Sequence, residues 1–175
     1  QLWGNPLYDW DAMAKDGYGW WIRRIEGASK LYDVIRIDHF RGFDTYWAVP
    51  YGEKTAKIGE WKKGPGMHLV GLLKETFPKV EFIAEDLGEQ SPTVKQLLSD
   101  SGFPGMKILE FAFDSDEPSD YQPHTYARHC ICYTGTHDNS PVMLWKEEAK
   151  PKDALYAAEY LGIGEEAYHW GFIRG

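Results

Sequence analysis

Three acidic residues stand at or just beyond the ends of short apolar runs, where a parallel sheet would present them to a ligand. Asp38 closes a β-branched run, Glu85 directly follows a second run, and Asp138 follows a third within a Thr-His-Asp-Asn stretch. Chemistry on a glycosidic bond needs two carboxyl groups, one to attack the anomeric carbon and one to protonate the leaving oxygen. The two groups must hold different protonation states at the same pH. The pattern therefore predicts carboxylate chemistry on a glycosidic bond.

The neighbours of Asp38 and Glu85 favour different roles for the two residues. Arg36 lies two positions before Asp38, so in a strand both side chains share one face, and the guanidinium favours an ionised nucleophile. A purely structural Arg–Asp pair is the alternative. Glu85 follows an apolar stretch with little positive charge nearby, and a dry setting favours a protonated general acid. Asp86 is a competing candidate, which would point to the opposite face of the strand.

Asp138 has a third possible role. It is flanked by His137 and Asn139, and such a polar group could hydrogen-bond sugar hydroxyls. Its carboxylate could also stabilise the positive charge of an oxocarbenium-like transition state. The alternative is an aspartate that only shapes a turn, because Asp and Asn are common turn residues.

Predicted strands alternate with predicted helices along most of the chain. Short β-branched and apolar runs predict strands at 34–38, 80–84, 106–111 and 130–133. Apolar positions at helical spacing and helix-start signals predict helices at 18–31, 65–77, 92–99, 152–161 and 164–170. This alternation is typical of parallel β/α units in an α/β fold. Because the carboxyl ends of parallel strands form the ligand face, we expect the acidic residues to lie at a site.

The composition limits the classes of partner. The 175 residues include 19 Lys and Arg against 27 Asp and Glu, which gives a net charge of −8 and disfavours binding to a nucleic-acid backbone. No apolar run approaches the length of a membrane span. Aromatic residues make up 15% of the chain, with 8 Trp, which suggests flat stacking faces for sugar rings. A Trp-rich core is the alternative interpretation of the same number.

The two cysteines do not indicate a metal site. Cys130 and Cys132 stand two residues apart, so in a strand they share a face but cannot easily bridge each other. Two buried thiols in a reducing compartment are the favoured interpretation. No calcium-loop spacing occurs in the sequence. Carboxylate chemistry on a glycosidic bond needs no metal or organic cofactor, and we expect none.

Longer stretches of the sequence resemble one enzyme family. The resemblance rests on motifs in the family's order, namely QLWGNPLYDW at 1–10, RIDHFRGF at 36–43, YWAVP at 46–50, IAEDLG at 83–88 and YTGTHDN at 133–139. On these motifs the chain resembles the 4-α-glucanotransferases of glycoside hydrolase family 77, also called amylomaltases or disproportionating enzymes. The resemblance covers nearly the whole chain, although only part of a family member.

The resemblance implies a (β/α)8 barrel of the TIM type. Four predicted strands are too few for a closed barrel of this kind, which typically needs ~250 residues. We therefore expect residues 1–175 to be a single-domain fragment, the C-terminal-half portion of a catalytic barrel with about strands four to seven. The sequence also begins without an initiator Met, and we expect the remainder of the barrel to be missing from this chain.

The resemblance also implies roles for individual residues. Asp38 would be the nucleophile, Glu85 the acid/base catalyst and Asp138 the transition-state stabiliser. The further positions that match sugar contacts in the family are Gln1, Trp3, Arg36, His137 and Phe111. After these motifs the family usually continues into paired aromatic residues, whereas this chain reads SPVMLW at 140–145. The departure concerns acceptor preference rather than the basic chemistry.

The implied reaction is a retaining transfer of an α-1,4-glucan segment from a donor to the 4-hydroxyl of an acceptor glucan or glucose. It would proceed through a covalent glucosyl-aspartate, and in a retaining site the two carboxyl groups lie about 5–5.5 Å apart. The expected partners are maltooligosaccharides and amylose, not a nucleic acid or a membrane. The family and the absence of a signal peptide predict a cytoplasmic location.

Three alternatives remain open at this point. With water as the acceptor, the same carboxylates would belong to an α-glucan hydrolase. The chain could also bind glucans without catalysis, or be a half-barrel that is inactive alone. Replacing Asp38 with Asn separates catalysis from binding, and product analysis separates transfer from hydrolysis.

Overall fold

The computed structural model of the chain describes residues 2–88, 90–164 and 168–175. Its backbone forms two compact units, Gln1–Gly105 and Met106–Gly175. Each unit combines helices with short strands and has its own cluster of buried apolar side chains. The fold is therefore of the α/β class.

The first unit carries most of the predicted elements. In chain order they are α1 (Trp10–Lys15), α2 (Gly19–Ser29), β1 (Val34–Ile37), β2 (Thr45–Ala48), β3 (Glu60–Lys63), α3 (Met67–Thr76), β4 (Glu81–Ala84) and α4 (Pro92–Ser101). A four-residue 3-10 helix, Phe40–Phe43, follows β1. The predicted helices at 18–31, 65–77 and 92–99 all form, each within a few residues of its expected bounds.

Strands β1 and β4 form the parallel pair that the alternating pattern predicts. Val34 lies opposite Glu81, and Ile37 lies opposite Ala84. Helices α2, α3 and α4 bury apolar residues in the same core cluster as Ile37 and Phe82. This core fixes the level at which the two strands end.

Local signals account for the start of α4. The Ser91 side chain accepts a hydrogen bond from the amide of Val94 at 3.3 Å, and Pro92 occupies the first turn. Ser at the N-cap and Pro at the first helical position satisfy or remove amides that have no partner within a helix. The helix therefore begins where the sequence predicts.

An antiparallel hairpin of β2 and β3 is an element that the sequence did not predict. Thr45 pairs with Lys63, and Trp47 lies opposite Trp61, with ring centroids 5.4 Å apart in an edge-to-face arrangement. Gly64 follows β3 and donates its amide to the carbonyl of Asp44 at 2.8 Å. This bond ties the end of β3 to Asp44, the residue between the 3-10 helix and β2.

The remaining elements are β5 (Gly105–Ile108), β6 (Cys130–Tyr133), α5 (Val142–Glu148), α6 (Pro151–Leu161) and α7 (Tyr168–Arg174). Strands β5 and β6 are paired. In the second unit, Phe113 packs against Trp145, Tyr156 and Phe172, and this cluster holds the helices together. The predicted third strand ends at Ile108 rather than at 111, because the backbone turns into a 3-10 helix there.

Candidate active site

Asp38 and Glu85 emerge from neighbouring parallel strands at the same level. Ile37 and Ala84 are register partners at the ends of β1 and β4. Asp38 directly follows Ile37, and Glu85 directly follows Ala84. The amide of Glu85 donates to the carbonyl of Ile37 at 2.9 Å. The strand ends thus bring together the two residues that the sequence predicts as a carboxylate pair.

Main-chain amides hold the carboxylate of Glu85. The amide of His39 donates to Oε2 at 2.6 Å, and the amide of Leu87 donates to Oε1 at 3.0 Å. The amide of Phe40 donates to the main-chain carbonyl of Glu85 at 2.9 Å. The residue is half-buried, and its carboxylate is surrounded by polar main chain, whereas the sequence predicts a drier setting.

Asp38 is paired with Arg36 and open to solvent. The guanidinium Nη1 lies 2.7 Å from Oδ1 of Asp38, and the Asp38 side chain is 76% exposed. The predicted shared face of the two residues is therefore confirmed. An exposed carboxylate is available to an approaching ligand, and the guanidinium forms a charge-assisted hydrogen bond with it.

Asp86, the competing candidate, is enclosed on the other side of the strand end. The residue is only 6% exposed, and the side-chain Nε2 of Gln90 donates to the main-chain carbonyl and to Oδ2 of Asp86, both at 2.5 Å. A Cβ atom added at Gly105 would lie 2.8 Å from Oδ1. Because the carboxylate of Asp86 faces the interior, Glu85 is the better partner for Asp38.

A groove with a volume of about 1030 Å³ borders Asp38 in the first unit. Its lining includes Arg36 and the aromatic side chains of Trp3, Trp47 and Trp61. Trp3 is 65% exposed. Carboxylate, guanidinium and aromatic surfaces together suit a ligand that carries hydroxyl groups on flat ring faces.

In the second unit, His137 and Asp138 are presented by a tight turn. The amide and the hydroxyl of Thr136 both donate to Oδ1 of Asn139 at 2.9 Å, and the amide of Asp138 donates to the Thr136 hydroxyl at 3.3 Å. His137 Nε2 lies 3.5 Å from Oδ2 of Asp138, and both side chains are exposed. The turn is self-supporting and leaves these two side chains free to meet a ligand.

The remaining predicted sugar contacts are Phe111 and Gln1. Phe111 lies in the 3-10 helix after β5, where its ring is 43% exposed and edge-on to Tyr121 at 5.4 Å. Gln1 lies outside the described residues. Phe111 thus offers an aromatic face in the second unit.

Sequence reasoning missed Glu110, a buried carboxylic acid in the second unit. The residue is 5% exposed, its Oε1 atom has no hydrogen-bond partner among the described residues, and burial raises its pKa to about 7. A Cβ atom added at Gly135 would lie 2.9 Å from Oε2. A signal was present, because Glu110 interrupts an otherwise apolar run between 108 and 113.

Neither a metal cluster nor a membrane-spanning helix is found in the described parts of the chain. No group of three or more His, Cys, Asp or Glu side chains there could hold a metal ion. No helix in those parts is both long enough and apolar enough to cross a membrane.

Comparisons with known proteins give a consistent result. A family model described as 4-alpha-glucanotransferase matches residues 1–175. A 4-alpha-glucanotransferase of Clostridium butyricum is 50% identical over 177 residues, which cover 100% of this chain and 36% of that protein. The chloroplastic/amyloplastic 4-alpha-glucanotransferase of Solanum tuberosum is 46% identical over 176 residues, 100% of this chain and 31% of that protein.

A solved structure is also similar to this chain. Amylomaltase from Streptococcus agalactiae in complex with acarbose matches with a TM-score of 0.87 and 41% identity, covering 94% of this chain and 33% of that chain. The chain therefore spans about a third of the length of the relatives it matches.

Proposed function

The chain belongs to the 4-alpha-glucanotransferase family, and we propose that it carries the reacting groups for retaining transfer of α-1,4-glucan segments. The donor is a maltooligosaccharide or amylose, and the acceptor is the 4-hydroxyl of another glucan or of glucose. The observation that carries this proposal is the register of β1 and β4, which brings Asp38 and Glu85 out of neighbouring strands at one level.

The proposed reaction has two steps. In the first, a carboxylate oxygen of Asp38 attacks the anomeric carbon while Glu85 gives its proton to the leaving glycosidic oxygen, which leaves a glucosyl ester on Asp38. In the second, Glu85 takes the proton of an acceptor 4-hydroxyl, whose oxygen attacks the anomeric carbon and releases Asp38. Two displacements retain the anomeric configuration, and no metal or organic cofactor takes part.

The other predicted residues have supporting roles in this proposal. Arg36 forms an ion pair with Asp38, and Trp3 offers a stacking face in the groove beside it. Asp138 stabilises positive charge on the sugar in the transition state, while His137 and Phe111 contact sugar units. Gln1 is proposed as a further sugar contact on the family resemblance alone. The acarbose bound to the Streptococcus agalactiae amylomaltase supports a glucan-like ligand for this chain.

The proposal includes the architecture that the sequence predicts. Residues 1–175 would be one domain fragment, the C-terminal-half portion of a (β/α)8 barrel, and the rest of the barrel would be absent from this chain. Support comes from the parallel β1–β4 pair and from coverage of about a third of each relative. A cytoplasmic location belongs to the same proposal, with a plastid as the alternative, because the Solanum tuberosum relative is chloroplastic/amyloplastic.

The test is incubation with maltotriose, followed by separation of the products by size. The wild-type chain and Asp38→Asn are compared first alone and then within the complete protein that contains the remaining barrel. Transfer predicts glucose together with a ladder of longer oligosaccharides, which disappears in Asp38→Asn. Glucose and maltose without longer products would instead support hydrolysis, and an unchanged ladder in the variant would refute the proposed nucleophile.

A further inference from the structure

His39 has an unusual main-chain conformation between the two proposed catalytic residues. Its φ is 49° and its ψ is 50°, in the left-handed region, and in the described part of the chain only Tyr18 is another non-glycine residue with positive φ. This conformation costs an L-residue about 1 kcal/mol or more, because Cβ crowds the main chain. Such strain persists only where the surrounding structure enforces it.

The residues after His39 enforce the conformation. Phe40 is fully buried and Phe43 is 5% exposed, and the Phe40 ring packs against Phe43 and Phe103 at 5.8 Å and 6.1 Å. The carbonyl of His39 accepts the amide of Gly42 at 2.9 Å. The chain must therefore turn sharply at His39 to carry Phe40 from the exposed Asp38 into the core.

The turn aims two successive amides at Glu85. His39 donates to Oε2 of the carboxylate at 2.6 Å, and Phe40 donates to the main-chain carbonyl at 2.9 Å. The φ and ψ angles of residue 39 set the direction of the Phe40 amide relative to the His39 amide. An extended or right-handed helical backbone at this residue would therefore turn one of the two amides away from Glu85. The contact with the Glu85 carboxylate comes from a main-chain nitrogen, so it does not require an imidazole.

The side chain of His39 points elsewhere. It is exposed, and its ring lies edge-on to that of Trp3, with centroids 6.3 Å apart. His39 also lines the groove that borders Asp38. The link between the two acidic residues therefore runs through the main chain of His39 and not through its imidazole.

From this geometry we infer that His39 is a positioning residue whose left-handed main chain, not its imidazole, orients the Glu85 carboxyl group for proton transfer beside Asp38. The inference rests on the proposed roles of Asp38 and Glu85. It predicts that the tolerance of position 39 follows the ease of adopting positive φ. Glycine adopts it freely and asparagine tolerates it, whereas a β-branched residue does not.

The test compares four variants of the complete protein: His39→Gly, His39→Asn, His39→Ala and His39→Val. With maltotriose as donor, Gly and Asn should keep kcat within about threefold, while Val should lose about tenfold to a hundredfold, since misplaced catalytic groups cost rates of that order. Alanine should fall between them. Thermal unfolding identifies variants that do not fold, and if Val is among them, Ala against Gly decides.

A second donor separates misorientation of Glu85 from general damage. With α-maltotriosyl fluoride as donor, the leaving group is fluoride, which departs without being protonated. The rate of fluoride release in the first turnover therefore does not depend on the general acid. His39→Val or His39→Ala should therefore recover most of its loss in that measurement. Asp38→Asn should fail with both donors, because it removes the nucleophile.

The outcomes distinguish the inference from the proposed function. If Asp38→Asn stays fully active with both donors, the proposed function fails. If Asp38→Asn is inactive but Gly and Asn at position 39 are as impaired as Val, the imidazole matters and the inference is overturned. Full activity of folded His39→Val, or an equal loss with both donors, would overturn it as well.

Discussion

The Arg36 guanidinium and the Asp38 carboxylate form an ion pair along one face of β1 and its continuation, with 2.7 Å between Nη1 and Oδ1. The two residues are separated by Ile37, whose side chain is buried on the opposite face. Arg36 is 31% exposed in its side chain and Asp38 is 76% exposed. The pair therefore sits at the boundary between the sheet and the groove, where it can serve stability, catalysis or both.

Substitution of Arg36 separates these two roles. Arg36→Gln should lower kcat/KM for maltotriose by about tenfold to a hundredfold, because the nucleophile loses the positive charge beside it. The midpoint of thermal unfolding should change little, since solvent-exposed ion pairs contribute about 0–1 kcal/mol. Steady-state kinetics and thermal unfolding of the same preparations measure both effects.

A matched control removes an exposed ion pair at the C-terminal end of α2. Lys30 and Glu26 are 3.4 Å apart with both side chains more than half exposed, so Lys30→Gln should alter neither kinetics nor unfolding. A large fall in the unfolding midpoint of Arg36→Gln with unchanged kinetics would mean that the pair is structural.

The sequence was informative where the signals are local. Ser91 and Pro92 mark the start of α4, and the strand predicted at 34–38 forms as β1, which ends at Ile37, one residue before Asp38. The hairpin was missed because β3 is exposed and charged, with no alternation of apolar residues to reveal it. Its partner β2 has only four residues and pairs only with β3 among the described strands, so it was missed together with β3.

The details of the site depend on tertiary packing. The apolar run from 106 to 111 could not show where its strand ends, because Leu109 is buried equally well in the 3-10 turn that follows Ile108. The positive φ of His39 goes with the burial of Phe40 directly after it, and neither is visible in the residue types alone. The position of the acidic residues at strand ends was thus predictable, whereas the amides that orient Glu85 were not.

Trp3 should contribute to glucan affinity rather than to chemistry. Trp3→Ala should weaken binding of a maltooligosaccharide by about fivefold to thirtyfold, equivalent to about 1–2 kcal/mol, because a sugar ring loses its stacking face. Trp3→Phe should retain part of the affinity. Calorimetric titration in the Asp38→Asn background measures binding without turnover.

Tyr51 offers a control for this measurement, since it is fully exposed and does not line the groove. Tyr51→Ala should bind the same oligosaccharide as tightly as the parent protein. Unchanged affinity in Trp3→Ala would remove Trp3 from the proposed set of sugar contacts.

Glu110 should make stability depend on pH. Burial raises its pKa from the ordinary 4.5 to about 7 in the folded protein, so the folded state holds this proton more tightly than the unfolded chain. The contribution to stability is fully present below pH 4.5 and is lost as the pH rises through about 7. Between these limits the wild type should lose about 1–3 kcal/mol of unfolding free energy relative to Glu110→Gln.

Urea unfolding at several pH values between 4.5 and 8 measures this difference. Glu117→Gln is the control, because Glu117 is exposed in the same unit and should leave the pH dependence of the wild type unchanged. Parallel curves for wild type and Glu110→Gln would show that Glu110 ionises at its ordinary pH.

Two glycines should respond to alanine in opposite directions. A Cβ atom at Gly64 would lie 2.4 Å from the carbonyl oxygens of Gly42 and Phe43, so Gly64→Ala must displace main chain and should cost about 2–3 kcal/mol. At Gly27, inside α2, no heavy atom lies within 4 Å of the added carbon. Gly27→Ala should raise the unfolding free energy by about 0.5–1 kcal/mol through helix propensity.

Chemical denaturation of both variants beside the wild type checks this pair of predictions. The opposite signs make the comparison its own control, because a general effect of alanine would move both proteins the same way. A stable Gly64→Ala protein would mean that the turn after β3 can open without cost to the rest of the first unit.

Strand β1 has a consequence for how the chain behaves in concentrated solution. Among the described residues, the strand that pairs with β1 is β4. The large apolar side chains of Leu31, Tyr32 and Val34, just before β1 and at its start, are exposed, and exposed apolar surface of this kind promotes association. The 175-residue chain on its own should therefore scatter increasing light as its concentration rises, and a barrel that covers these side chains should not.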